Sequence, residues 1–400
     1  TAAQGRWLRE RLTIYPRHAL DGERWLDPAL RPVVLRRIDG SGLPRTDDWH
    51  PGEDRPVPQL ERDLLSRDPA TARRATRGLD PDPALLRTIE RARSGQRLDE
   101  GAIERLFAAR GPDFRAVCEA ADALRRETVG DAVSYVVTRN INYTNVCTYH
   151  CRFCAFSKGS TAEHLRGRPY DISETEIRRR VREAWDRGAT EVCMQDGIHP
   201  YYSAETYLAI VRAVKDECPG MHVHAFSPLE IGQGAAAGGR TLEQFLRELR
   251  EAGLATLPGT AAEVLDDEVR AVICPDKLNT DAWLEVMRTA HAVGLRSTAT
   301  LMFGHVDRPV HWARHLLRVR DLQAETGGFT EFVPLPFVHM EAPMFLRGLA
   351  RPGPTFREAV LVHAVARLVL HPLIPNIQTS WVKMGHEGAL ACLDAGCNDL

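Results

Sequence analysis

The chain has 400 residues, 44% of them hydrophobic, with 52 basic against 54 acidic residues and a net charge of −2. That is enough apolar material for a full-sized core, which excludes a small stapled scaffold. The charges are interspersed, so there is no one-sided basic footprint and no nucleic-acid partner is expected.

The chain opens at Thr1 with neither a methionine nor a charged-then-apolar leader, and reads as an internal slice of a longer protein. Trp7, Leu8, Leu12, Trp25, Leu26, Leu30, Val33 and Val34 are too few to bury a core of their own, so residues 1–50 are expected to be the remnant of a preceding domain. Pro, Asp, Gly and Arg then dominate from about Pro44 to Pro83 without an apolar period, which predicts a linker over 51–84. Helical spacing continues over 85–133: Leu85, Leu86 and Ile89, then Ile103, Leu106 and Phe107, then Phe114, Val117, Ala121 and Leu124. These helices are expected to pack on the outside of the body that begins at residue 134.

From 134 to 400 the pattern is strand, loop, helix, repeated, with apolar runs too continuous for half-exposed antiparallel strands. Gly188, Gly253, Gly294, Gly328 and Gly396 mark helix ends, and Ser173-x-x-Glu176 and Thr241-x-x-Gln244 read as capping boxes. Gly232-Gln-Gly-Ala-Ala-Ala-Gly238 reads as a flexible loop. Strand candidates are Tyr135–Ile141, Glu191–Gln195, His222–Phe226, Leu254–Leu257, Ser297–Phe303, Glu331–Leu335, Asn376–Ser380 and a beginning at Asn398. Eight parallel strands make an α/β protein of the TIM-like (β/α)8 barrel type, with additional N-terminal helices and the last strand truncated. The longest apolar stretch, Ala359 to Ile374, is broken by His363, Arg367 and His371, so no membrane span is expected. Nine cysteines without regular pairing read as a reducing compartment, and the protein as cytoplasmic.

Three of those cysteines, Cys147, Cys151 and Cys154, fall in one short stretch. An electron-transfer cluster takes four cysteines; a cube held by three leaves one iron open to a small molecule. The other reading is a structural zinc of the three-cysteine, one-histidine type with His150 as fourth ligand. The spacing, with Phe153 just before the last cysteine, resembles the radical S-adenosylmethionine superfamily. That resemblance implies a [4Fe-4S] cluster on Cys147, Cys151 and Cys154, with S-adenosylmethionine as second cofactor and Phe153 against its adenine.

Chemistry in such barrels lies at the carboxyl ends of the strands. Those ends carry Asn142, Tyr143, Gln195, Asp196, Ser227, Glu230, Thr256, Thr260, His305, His339, Thr379 and Trp381. Gln195, Asp196, Ser227 and Glu230 join Phe153 as candidate cofactor-binding residues. Asp196 could accept from the methionyl ammonium or only satisfy loop amides. Glu230 could hold a ribose or an amine, or be a carboxylate at a helix start. His199, Glu230 and His305 are the candidate catalytic residues; His199, His305 and His339 could equally be structural histidines.

With the whole body in view, Arg139-Asn-Ile-Asn-Tyr-Thr-Asn-Val-Cys147, Cys151-Arg-Phe-Cys-Ala-Phe-Ser-Lys158, His222-Val-His-Ala-Phe-Ser-Pro228, Leu257-Pro-Gly-Thr-Ala-Ala-Glu263 and Gln378-Thr-Ser-Trp-Val-Lys383 resemble the deazaflavin (FO) synthase family. The match, from about residue 85 onward, is to its tyrosine 4-hydroxyphenyl transferase half, and residues 1–50 resemble the tail of the partner FO-cyclising lyase half. The resemblance implies a radical enzyme that joins the 4-hydroxybenzyl group of L-tyrosine to 5-amino-6-(D-ribitylamino)uracil, with the lyase domain and a one-electron donor as partners. The protein would then supply orientation and a dry barrel to a cofactor that carries the chemistry. Asp196-Gly197 stands where the family has Gly-Gly. The alternatives are a menaquinone-pathway aminofutalosine synthase and, from another class, a zinc-stabilised barrel without radical chemistry.

Overall fold

A computed structural model describes residues 14–156 and 168–400; Trp7, Leu8, Leu12 and Lys158 lie outside them. Six parallel strands stand side by side in chain order: β1 (Thr138–Asn140), β2 (Glu191–Met194), β3 (His222–Ala225), β4 (Thr256–Leu257), β5 (Arg296–Phe303) and β6 (Phe329–Pro336). Helices separate successive strands, beginning with Glu174–Asp186 and Ala204–Glu217, and parallel pairing requires such crossovers.

The ring continues beyond β6 by single bridges. Ile377 pairs with Phe332, Gln378 with Asp399, and Asp399 with Ser134 just before β1. Backbone amides support these bridges: Gln378 donates to Phe332 (3.0 Å), Thr379 to Asp399 (3.0 Å) and Leu400 to Ser134 (3.0 Å). The seventh and eighth positions of the expected barrel thus contribute bridges in place of strands, and the last is occupied by Asp399, paired on both sides.

The strands' two faces differ. Val192, Met194, Val223, Ala225 and Leu257 are fully buried, in one core with Val181, Val211, Val214 and Leu246 of the surrounding helices. Arg139 also points outward, donating to Glu183 of the helix Glu174–Asp186 (2.9 Å). By alternation Glu191, Cys193, His222, His224 and Thr256 face the enclosed side, where each is only half-buried. Bulky Val, Ile and Leu commonly fill such an interior, but β1 to β4 present a polar inner wall.

A second core lies outside β5 and β6. The helix Phe356–Leu370 is buried along its whole length, packed among Phe107, Phe114, Val117 and Leu124 of the expected lead-in helices, found at Pro83–Arg93, Glu100–Phe107 and Pro112–Val129. This helix takes up most of the apolar stretch Ala359 to Ile374, and among the described residues no helix is long and apolar enough to cross a membrane. Trp49, Val57 and Leu64 join the same core. Segment 51–84, linker-like in composition, carries the helices Gln59–Leu64 and Pro69–Ala75; the second starts at Asp68, whose carboxylate accepts from the Ala70 and Thr71 amides. The head is fastened by Asp39, which accepts from Arg110 (2.5 Å) and Arg357 (3.3 Å), and by the Gly40 amide on Glu358 (2.6 Å).

Local signals are realised with small shifts. Thr241 and Gln244 form the full capping box, whereas Ser173 makes only its half, because Glu176 is taken by Arg179 and Arg180. The left-handed cap expected at Gly328 is at Gly327 (φ 64°), and Gly328 instead lies against the His291 ring, where a Cβ would come within 2.1 Å. The 232–238 run is helical, not a loop: Ser227 and Pro228 start a helix that runs Pro228–Ala237.

Candidate functional site

After β1 the chain folds back across the barrel mouth and is pinned from several sides. Thr148 donates to the Ile198 carbonyl (3.0 Å), Gly197 to Thr144 (3.3 Å) and Arg152 to Ile273 (2.8 Å). Gly197 permits this approach, since a Cβ there would lie 2.3 Å from the Val146 carbonyl oxygen and 3.2 Å from the Cys147 Cβ. Cys147, Cys151 and Cys154, all half-buried, line one cavity of about 340 Å³. Phe153, Gln195, Asp196, Ser227 and Glu230 line it too. None of the other six cysteines does.

Burial pushes the Cys147 thiol up and that of Cys151 up to about 12, so binding a metal there would release protons. His150 is exposed and does not line the cavity; its amide donates to Asp276 (2.7 Å). Nor do the three sulfurs belong to a group whose ligand atoms close to within 4.8 Å of one another, whereas a single zinc with Zn–S bonds of about 2.3 Å would need sulfurs roughly 4 Å apart. Among the described residues the group that does close so far, Asp266, Glu268 and His311, has Arg314 and Arg318 beside Asp266 at 3.3 and 3.5 Å.

The two acidic candidates are held differently. Glu230 is fully buried and accepts four hydrogen bonds: from the Ser227 amide (2.7 Å) and hydroxyl (2.6 Å), from the Asp196 amide (3.2 Å) and from the Tyr143 hydroxyl. With Ser227 it forms the capping box of the helix Pro228–Ala237. Its acceptor positions are therefore filled from within the fold. Asp196 accepts from Asn142 Nδ2 (2.6 Å) and from the Tyr143 amide. Burial pushes its carboxyl up to about 8, against the pull of these donors, and nearby Glu230 adds to the rise.

Two residues of the cavity wall each bury a polar atom that has no partner among the described residues: Gln195 Oε1 and Thr260 Oγ1. A buried group left so costs free energy until a ligand satisfies it, and this fits a polar guest. Lys277 and Glu263, which sequence reasoning did not single out, also line the cavity as a buried ion pair (2.8 Å), with the ammonium 5.5 Å over the Phe153 ring. One signal was available: Lys277 is one of four lysines in a chain whose other basic residues are arginine. The backbone supplies another mark, since Phe226, Ala261 and Glu263 hold positive φ (65°, 62° and 47°) around this mouth, and strain of that kind clusters at functional sites.

The structure does not bring His199, His305 or His339 to this wall. His199 stacks at a tilt on Tyr202 (4.7 Å), and its Nδ1 accepts from the Tyr201 amide. His305 is fully buried beside Asp307 (3.3 Å), its Nδ1 accepting from the Val306 amide. His339 packs edge-on against Phe345.

Residues 141–317 match the radical SAM superfamily, and residues 326–400 the CofH/MqnC C-terminal region. Over its whole length the chain is 45% identical to a protein named FO synthase from Streptomyces coelicolor and covers 49% of it; the chain thus spans about half the length of the FO synthases it matches. It is 49% identical, over 76% of this chain and 81% of the other, to a 5-amino-6-(D-ribitylamino)uracil–L-tyrosine 4-hydroxyphenyl transferase from Methanopyrus kandleri. In fold it is similar to methylornithine synthase (TM-score 0.58, 18% identity, 78% of this chain and 84% of that one). The hydrogenase maturase HydG is similar as well (TM-score 0.61, 14% identity, 84% and 71%).

Proposed function

The chain belongs to the radical SAM superfamily and, within it, to the family of tyrosine 4-hydroxyphenyl transferases, and from this we propose that it joins the 4-hydroxybenzyl group of L-tyrosine to 5-amino-6-(D-ribitylamino)uracil. The superfamily's cofactors are a [4Fe-4S] cluster and S-adenosylmethionine. Together they supply, when bound, a carbon-centred radical able to take a hydrogen atom.

In this reading Cys147, Cys151 and Cys154 hold the cluster, and with His150 turned to solvent the fourth corner stays open. Phe153 offers a ring face to the adenine. Gln195 Oε1 can accept from an ammonium or a hydroxyl, and Thr260 Oγ1 adds a second polar contact. Glu230 is a positioning residue that fixes the loop bearing Asp196 by accepting from its amide and from the Tyr143 hydroxyl, and Ser227 holds Glu230 in place by donating to it. Asp196, held by Asn142, presents its carboxyl to the methionyl end. The buried walls exclude water, so a carbon radical meets few stray hydrogen donors.

Residues 1–50 are assigned to the tail of a cyclising lyase half, which the greater length of the FO synthase relatives supports. A one-electron donor from outside the chain completes the system.

The observation that carries this reading is that three cysteines line one cavity at the strand ends together with Gln195 and Thr260, two residues that each bury an unpartnered polar atom among the described residues. Anaerobic reconstitution should give iron and sulfide in equal amounts and an electron paramagnetic resonance signal, on reduction, that changes with S-adenosylmethionine. Tyrosine plus diaminouracil should then yield the coupled product. Zinc without sulfide, or deoxyadenosine without coupled product, would overturn it.

A further inference from the structure

The polar inner wall has a definite hydrogen-bond direction. Strand register places Asn140 beside Cys193, Cys193 beside His224 and His224 beside Thr256, one row across four strands. Thr256 Oγ1 lies 2.8 Å from His222 Nε2 and 2.7 Å from His224 Nδ1. One hydroxyl has one proton, and these two rings are its only partners among the described residues, so it donates to one imidazole and accepts from the other. His222 Nε2 also faces a Glu191 carboxylate oxygen at 3.8 Å, which favours the proton on that nitrogen. His222 therefore donates to Thr256, Thr256 donates to His224 Nδ1, and His224 keeps its proton on Nε2. Burial holds the His224 ring neutral, pushing its pKa down to about 4.

We propose that this row seats the acceptor heterocycle, with His224 Nε2–H donating to a ring carbonyl oxygen of the ribitylaminouracil and Thr256 fixing the tautomer that makes it a donor. The assignment rests on the transferase reading. Tyrosine must present its amine to the cofactor and so belongs in the upper cavity. The acceptor must lie within reach of the released benzyl fragment but away from the radical source. Gln195 spans the two levels: its Nε2 donates to Cys193 Sγ (3.3 Å) below, while the residue lines the cavity above. The inward residues of β1 to β4 carry no cation, which suits a neutral carbonyl and hydroxyls better than an amino acid's carboxylate.

The test uses the cluster-loaded full chain. Thr256→Val should raise KM for diaminouracil at least tenfold and leave KM for tyrosine, and deoxyadenosine formation with tyrosine alone, within about twofold of wild type. Thr256→Ser, which keeps the hydroxyl, should stay within about threefold throughout. On the wild-type protein, a pyrimidine analogue lacking one ring carbonyl should bind at least tenfold more weakly by equilibrium dialysis, a measurement independent of how the variants fold. An unchanged diaminouracil KM in Thr256→Val, an equal rise for tyrosine, or indifference to both carbonyls overturns this assignment alone. A wild-type protein that consumes tyrosine without coupling it overturns the transferase reading and this assignment with it.

Discussion

Cys147, Cys151 and Cys154 share a cavity wall, whereas Cys118 and Cys218 are packed as small apolar side chains in the two cores. Replacing any of the first three by alanine should cut bound iron to under about a quarter of wild type and abolish deoxyadenosine formation. Cys118→Ala or Cys218→Ala should leave iron content intact and cost about 1–2 kcal/mol in urea unfolding. Asp196 makes a pH prediction. Its carboxyl titrates near 8 in the fold and near 3.9 in an unfolded chain. Between those values the unfolded chain gives up a proton that the folded chain keeps, so stability falls as pH rises from about 4 to about 8 and then levels. Urea unfolding of Asp196→Asn against wild type should move in the variant's favour between pH 5 and pH 8, by about 3–4 kcal/mol. The cysteines were legible because their spacing is local. Lys277 and Glu263 were not, because the crossing of two distant segments over Phe153 is what gives them a place.

Elements add constraints that single residues do not show. Gly197 lets the loop after β2 lie on the cysteine loop, so Gly197→Ala must push the two backbones apart. The variant should keep wild-type circular dichroism yet load less than about half the iron, read by iron and sulfide analysis. Arg367, buried in the helix Phe356–Leu370, donates to the carbonyls of Gly396 and Pro375 and to Asn398 Oδ1, which tie down the chain around the last two barrel positions. Arg367→Met leaves the Gly396 and Pro375 carbonyls without that donor, while Asn398 Oδ1 keeps the Ile377 amide, and should cost about 3 kcal/mol by urea unfolding. Strand positions were readable from apolar runs and their punctuation, since β2, β3 and β5 begin within a residue of expectation. Pairing extent was not: Asn376–Ser380 reads like its neighbours yet makes only bridges. The glycines of 232–238 masked a helix whose start was nonetheless written in Ser227 and Pro228.

At the scale of the molecule, the head is part of the body. Trp49, Val57 and Leu64 lie in the larger core, and Asp39 is shared by Arg110 and Arg357. A chain beginning at residue 85 would expose that core and leave both guanidiniums without their carboxylate. It should melt at least about 10 °C lower than the full chain by calorimetry, or aggregate on expression. Composition hid this, because Pro, Asp and Arg describe a segment's surface while three scattered apolar residues decide where it docks.

The hydrophilic lining of β1 to β4 carries a mechanical consequence. Barrels stuffed with branched aliphatics are braced from the centre; a hollow one has to be braced by its girdle. Here that girdle is double: the helix Phe356–Leu370 and the three lead-in helices brace β5 and β6, and the core around Val181, Val211, Val214 and Leu246 braces β2 to β4, so the ring keeps its shape without apolar filling at its centre.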